Sequence, residues 1–137
     1  MQITRETDYA IRCILHLSKE PERTFVVNEI ATAQWIPKSF LAKILQKLTR
    51  VGLVESSRGV KGGFQLAKEP KEITLFDVVV IMEGSVAMNR CTINKRMCNL
   101  SNTCPVHPVW VEIRKEIEKR LRKQNFEKLI KYCKRSP

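Results

Sequence analysis

IPKSFLAKILQKLTRVGLVESSRGVKGGFQLAK, residues 36–68, changes its hydrophobic period once, at Gly52. Before that point Phe40, Leu41, Ile44, Leu45 and Leu48 recur at spacings of one, three and four, the stripe of a helix with a single buried face. Lys38, Ser39, Ala42, Lys43, Gln46, Lys47 and Arg50 fall outside the stripe, so the outward face is cationic and carries hydrogen-bonding side chains. Pro37 suits the first turn of such a helix and Gly52 its end. Beyond Gly52 the period is two, and residues 53–57 and 64–68 read as strands around RGVKGG, residues 58–63. Three glycines in those six positions allow close backbone approach, and Arg58 and Lys61 add charge to the tip.

Working upstream, residues 27–33 read as a short helix joined to the first by QWIP, residues 34–37, a tight connection. Thr4 can cap a helix running to about Lys19, with Ala10, Cys13, Ile14 and Leu17 on one face and Pro21 preventing continuation. Helix, turn, helix and basic hairpin in succession describe a winged helix–turn–helix. The plain alternative is an amphipathic core helix with a solvated face followed by an ordinary turn. Consecutive placement with matching charge favours the winged helix. On that reading Lys38, Ser39, Lys43 and Lys47 meet the major groove of double-stranded DNA, and Arg50 belongs to the same DNA-binding face. Arg58 and Lys61 meet the minor groove or its phosphates.

Charge supports a polyanionic partner. The 137 residues carry a formal net charge of +11, with 43% apolar residues, enough for one core without disulfide staples. Residues 38–61 hold six Lys/Arg against one Glu, and residues 109–137 hold ten against four acids, so the basic character is concentrated in two places. No stretch approaches the roughly 18 apolar residues of a membrane span, and the opening MQITRETDYA is too charged for a secretory signal. The expected setting is a reducing cytoplasm. Two histidines, no nucleotide fingerprint and no assembled Ser/His/Asp set argue against an enzyme or a small-molecule substrate.

Downstream, KEITLFDVVVIMEG, residues 71–84, reads as a short helix with a Thr74/Asp77 capping box and Gly84 as its stop. Trp110, Ile113, Ile117 and Leu121 mark a long amphipathic helix among basic residues, and Asn125 can cap a last helix containing Phe126, Leu129, Ile130 and Cys133. The stripe on the long helix needs a partner, and a second copy is the economical one, because helix–turn–helix proteins commonly read paired half-sites as dimers. The expected fold is mainly α with a small β-hairpin wing and a long C-terminal dimerisation helix. Its organisation is a DNA-binding unit over residues 1–84, a loop over 85–108 and a dimerisation segment over 109–137.

Between these units stands RCTINKRMCNLSNTCPVHPVW, residues 90–110. Six residues separate Cys91 from Cys98, five separate Cys98 from Cys104, and His107 follows Cys104 by three. These four converge only if the stretch wraps around something. Thiolates suit iron–sulfur clusters, zinc or copper(I), and an imidazole can complete either kind of site. A structural zinc site usually has a short Cys-x2–4-Cys knuckle, absent here, so the spacing ranks a cluster above zinc and zinc above plain thiols. A winged-helix protein with structural zinc is the alternative function, and an iron–sulfur electron-transfer protein ranks below it because there is no nucleotide fingerprint and no room for a second cofactor domain. Cys13 and Cys133 sit in apolar stripes and read as small buried hydrophobes.

ITRETDYAIR (residues 3–12), the helix and wing of residues 36–68, and the three-cysteine loop ahead of a basic helix together resemble the IscR/NsrR-type winged-helix regulators of bacteria over nearly the whole chain. The resemblance implies a homodimer whose long helices cross at the interface, and operator binding controlled by an iron–sulfur cluster. It also offers two fourth ligands. His107, three residues after Cys104, fits the IscR-like pattern of a [2Fe–2S] cluster, which is favoured because His107 shares the loop with the thiolates. Asp8, supplied by the partner chain, fits the NsrR-like pattern of a [4Fe–4S] site. An acid in the first turn of a helix is also favoured without any metal. The six-residue gap after Cys91 departs from the five usual in IscR-like proteins.

Overall fold

The structure, a computed structural model, describes residues 2–135; Met1, Ser136 and Pro137 lie outside the described residues. It is mainly helical with one two-stranded hairpin: α1 (Arg5–Ser18), α2 (Val27–Gln34), α3 (Lys38–Arg50), β1 (Val54–Ser57), β2 (Gly63–Leu66), α4 (Leu75–Glu83), α5 (Arg90–Ile93), α6 (His107–Arg122) and α7 (Phe126–Arg135). Short 3-10 turns at Pro70–Glu72 and Lys95–Met97 complete it.

α1 starts where Thr4 caps it, the Thr4 hydroxyl accepting from the Thr7 N–H at 3.2 Å. Its inward stripe is the one read from spacing, with Ala10, Cys13, Ile14 and Leu17 all fully buried. Burial pushes the Cys13 thiol up to about 12, so this cysteine is an inert core group. α3 buries Leu41, Ile44, Leu45 and Leu48 completely against α1 and α2. At about 1.5–3 kcal/mol for each fully buried aliphatic side chain, this stripe is a principal anchor of the fold.

Phe40 departs from the expected stripe and is 52% exposed. It precedes Leu41 and so stands about 100° around the helix from it, outside the arc that the four aliphatic residues occupy. Cys133 is exposed as well, rather than buried. It lies three residues past Ile130 in the last turn of α7, beyond the part of the helix that meets the core.

β1 and β2 pair antiparallel with Val54 opposite Leu66 and Ser57 opposite Gly63. Phe25 extends this sheet by one bridge, exchanging N–H···O bonds of 2.8 and 2.7 Å with Phe64. Gly63 permits that approach, since a Cβ there would stand 2.4 Å from the Phe25 carbonyl oxygen. α4 carries the expected capping box, with both Thr74–Asp77 bonds formed, at 2.9 and 3.1 Å.

The core gathers side chains from α1, α2, α3, the hairpin, the segment before α4, α4 itself and α7, and takes none from residues 83–125. α7 returns to α1, placing Phe126 fully buried, and the α6–α7 junction pairs with the segment before α4 through Leu75 N–H to Gln124 O (2.8 Å) and Phe126 N–H to Ile73 O (3.0 Å). α6 lies outside this core against α4 and α5. Arg114 and Arg122 both pair with Glu118 along it, and the Arg122 guanidinium stacks 3.9 Å over the Phe76 ring. No helix among the described residues is long and apolar enough to cross a membrane.

Candidate functional site

α3 presents Lys38, Ser39, Lys43, Gln46 and Arg50 to solvent, with Lys47 half-buried at the margin. Arg58 and Lys61 are exposed on the hairpin tip, where Gly59 adopts a φ of +104° and lets the chain turn. Among the described residues none of these six cations is ion-paired; five are exposed, and the half-buried Lys47 lies close enough to Glu83 for their charges to interact. The α2–α3 turn is held to α1 from two sides. The Arg12 guanidinium donates to the Gln34 carbonyl at 3.3 Å and to Asp8 at 2.7 Å, and the Gln34 side chain meets His16 Nδ1 at 3.1 Å. His16 also packs edge-on against Phe25, and burial lowers its pKa from the usual value. The bonds to Gln34 tie the end of α2, just before the turn into α3, to α1. The i,i+4 spacing of Asp8 and Arg12 is the sequence signal for the pair they form.

Glu83, the last residue of α4, makes a second junction that sequence reasoning missed. Its carboxylate accepts from the Thr4 N–H (2.9 Å), the Thr4 hydroxyl (2.9 Å) and the Thr7 hydroxyl (2.7 Å). The Thr4 N–H bond, with those from the two hydroxyls, holds its pKa below the usual carboxylate range. The chain leaves this clasp at Gly84 directly into the cysteine segment.

That segment is partly ordered by short-range bonds. Ser101 donates to the carbonyls of Lys95 and Cys98, both at 3.0 Å, and Arg114 of α6 reaches the Thr92 carbonyl. Cys91 and His107 are buried, Cys104 is half-buried and Cys98 is exposed. No three Cys, His, Asp or Glu side chains among the described residues converge on a metal-sized site. His107 opens α6 rather than lying in the loop, followed by Pro108 in the first turn, a position for which proline is a recognised signal. Its Nδ1 is buried with no hydrogen-bond partner, as is Nε2 of His16. Asp8 stands apart on α1 in its ion pair with Arg12. Trp110, Ile113, Ile117 and Leu121 are each only half-buried on α6.

Comparison with known proteins agrees with this architecture. The solved structure of CymR, the global cysteine regulator of B. subtilis, superposes with a TM-score of 0.81 at 25% identity, covering 96% of this chain and 98% of that one. The fold is shared with T. potens IscR at a TM-score of 0.79 and 24% identity, over 97% of this chain and 88% of that one. In sequence the chain is 35% identical over 109 residues to the HTH-type transcriptional regulator NsrR of Shouchella clausii, 79% of this chain and 70% of that protein. It is 46% identical over 91 residues to protein aau3 of Rhizobium meliloti, 66% of this chain and 59% of that protein, so it spans about three fifths of that relative's length. The family profile of Rrf2, described as an iron-dependent transcriptional regulator, matches residues 3–132. With this match across helix–turn–helix, wing, cysteine segment and both final helices, the chain belongs to the Rrf2 family of transcriptional regulators.

Proposed function

We propose that the protein is a sequence-specific DNA-binding regulator that works in the cytoplasm as a homodimer, with operator affinity controlled by an iron–sulfur cluster. The observation that carries the DNA-binding reading is the unpaired cationic face of α3, continued by Arg58 and Lys61 on the hairpin. Lys38, Ser39, Lys43, Lys47 and Arg50 would enter or flank the major groove, and Arg58 and Lys61 the minor groove or its phosphates. The half-buried stripe of α6 supports the dimer, because Trp110, Ile113, Ile117 and Leu121 retain apolar surface for a second copy to cover.

The donor set fits a cluster in its chemistry. Cys91, Cys98 and Cys104 would supply thiolates, and His107, whose buried Nδ1 has no partner, the fourth ligand. The partner subunit's Asp8 is the alternative. Its Oδ2 is paired with Arg12 at 2.7 Å, whereas His107 stands in the same chain as the three thiolates, which favours His107 and with it a [2Fe–2S] over a [4Fe–4S] cluster. When bound, the cluster supplies a centre sensitive to iron–sulfur status, redox state or nitric oxide. The chain's own contribution is positional. Cys98 is exposed, so drawing it towards buried Cys91 and His107 reshapes the segment between Gly84 and α6. That segment is joined through Glu83 to the cap of α1, and α1 holds the turn before α3. A ligand biases such an equilibrium only by its differential affinity for the two arrangements.

The test compares anaerobically purified protein, metal-free protein and Cys98→Ala on one operator at fixed salt. Visible absorption with iron and sulfide, together with Cys98→Ala matching the metal-free affinity, is expected. Equal affinities for all three on every operator, or zinc without visible absorption, would reject cluster control. For the docking face, Lys43→Ala should weaken binding and, if it contacts only phosphate, flatten the salt slope by about one. Unchanged affinity in both Lys43→Ala and Arg58→Ala would reject that face.

A further inference from the structure

We propose that Phe40 reads a base: its exposed edge takes the 5-methyl group of a thymine in the major groove, giving the operator an apolar determinant beside the polar ones. This rests on the DNA-binding reading above. Phe40 is the third residue of α3, in the N-terminal turn that reaches base edges when a helix–turn–helix docks. Half of its surface meets water. The ring is also held in place from behind. Its centroid lies 6.1 Å from that of Tyr9 at an interplanar angle of 60°, and Tyr9 is itself buried with the Arg12 guanidinium 5.5 Å over its ring. An aromatic platform fixed on α1 therefore backs an outward-facing phenyl group, a preorganised apolar contact.

The neighbours select the occupant. Lys43 follows Phe40 by three and Lys47 by seven, on the same side of α3, the first exposed and the second half-buried, so an apolar protein surface docking here would have to bury unpaired ammonium groups. Duplex DNA meets the lysines with phosphates and base acceptors. In the major groove it offers one apolar group, the thymine methyl, to which phenylalanine is a suitable partner. Removing one methyl from water corresponds to about a fourfold gain in affinity for each contact.

The experiment selects an operator from random-sequence duplexes with the wild-type protein, then replaces each thymine singly by deoxyuridine, which deletes only the methyl and keeps the base pair. Wild-type affinity should fall about fourfold at one thymine of each half-site and stay level at the others. Phe40→Ala and Phe40→Gln should bind more weakly and no longer distinguish thymine from uracil there. Lys43→Ala should bind more weakly and still distinguish them. A wild-type protein indifferent to every replacement, or discrimination that persists in Phe40→Ala, overturns the proposal while leaving DNA binding intact. If no duplex is enriched at all, the DNA-binding reading fails and this one with it. The wild-type series alone can overturn the proposal, whatever the folding of the variants.

Discussion

α3 buries Leu41, Ile44, Leu45 and Leu48 completely, whereas residues 88–109 leave Met88, Ile93, Met97, Leu100, Val106 and Val109 between 44% and 65% exposed. Both stretches are rich in apolar side chains, yet only the first has a core to enter, since the core takes nothing from residues 83–125. The helix–turn–helix is complete within one chain. The cysteine segment, and the half-buried stripe of α6 that follows it, carry apolar surface that a single chain does not cover. Switching elements are drawn from the less stable parts of a fold, and on the function proposed above this division would set a fixed reading head beside an adaptable sensor.

The comparison breaks most visibly at α6. If its stripe is covered by a second copy, Ile117→Glu places a charge in an apolar interface without a partner, a loss of about 3–5 kcal/mol per buried charge. The variant should sediment as a monomer or aggregate where the wild type sediments as a dimer at micromolar concentration. A wild-type monomer under those conditions would leave α6 without its proposed partner.

A pair of truncations sharpens the contrast between the regions. Ile44→Ala opens a cavity in the core and should cost about 2–5 kcal/mol in denaturant unfolding. Leu100→Ala removes a side chain that is 65% exposed and should stay within about 0.5 kcal/mol. A comparable loss from both would mean that the cysteine segment is as tightly packed as the core, and the division would fall.

The same division explains what could be read before the structure. Where one face meets one core, period and capping chemistry were sufficient: α1 begins after Thr4, α4 after a Thr74/Asp77 capping box, and the hairpin turns at its glycines. Errors arose where a residue sits at the edge of a stripe or beyond the reach of the core, as with Phe40 and Cys133, because spacing does not say where the opposing surface stops. The return of α7 to α1, which buries Phe126 completely, is a long-range packing event with no local signature. The clasp of Glu83 on Thr4 and Thr7 joins positions more than seventy residues apart and is equally invisible to period. In the cysteine segment, donor types and spacing were legible. Their arrangement was not, because no periodic face orders a stretch of short turns.

The smallest expected effect concerns the turn that joins the two helices of the reading head. Trp35 adopts φ 55° and ψ 45° with its indole 87% exposed, and is the one non-glycine residue of positive φ among those described. A left-handed conformation costs an ordinary L-residue about 1–2 kcal/mol, and an indole left in water returns little of it. Asparagine tolerates that region better because its short side chain bonds locally, and unlike glycine it adds little freedom to the unfolded chain. Trp35→Asn should therefore stabilise the protein by about 0.5–1 kcal/mol, a rise of about 2–4 °C in Tm, whereas Trp35→Ala keeps the strain and gains nothing. Operator affinity measured on the same variants separates two origins of the tryptophan. Strain retained at a turn beside a docking surface is expected to serve that surface, so Trp35→Asn should be more stable and yet bind its operator more weakly. A variant that gains stability with unchanged affinity would show that the left-handed turn matters to α2 and α3 as geometry, and the indole not at all.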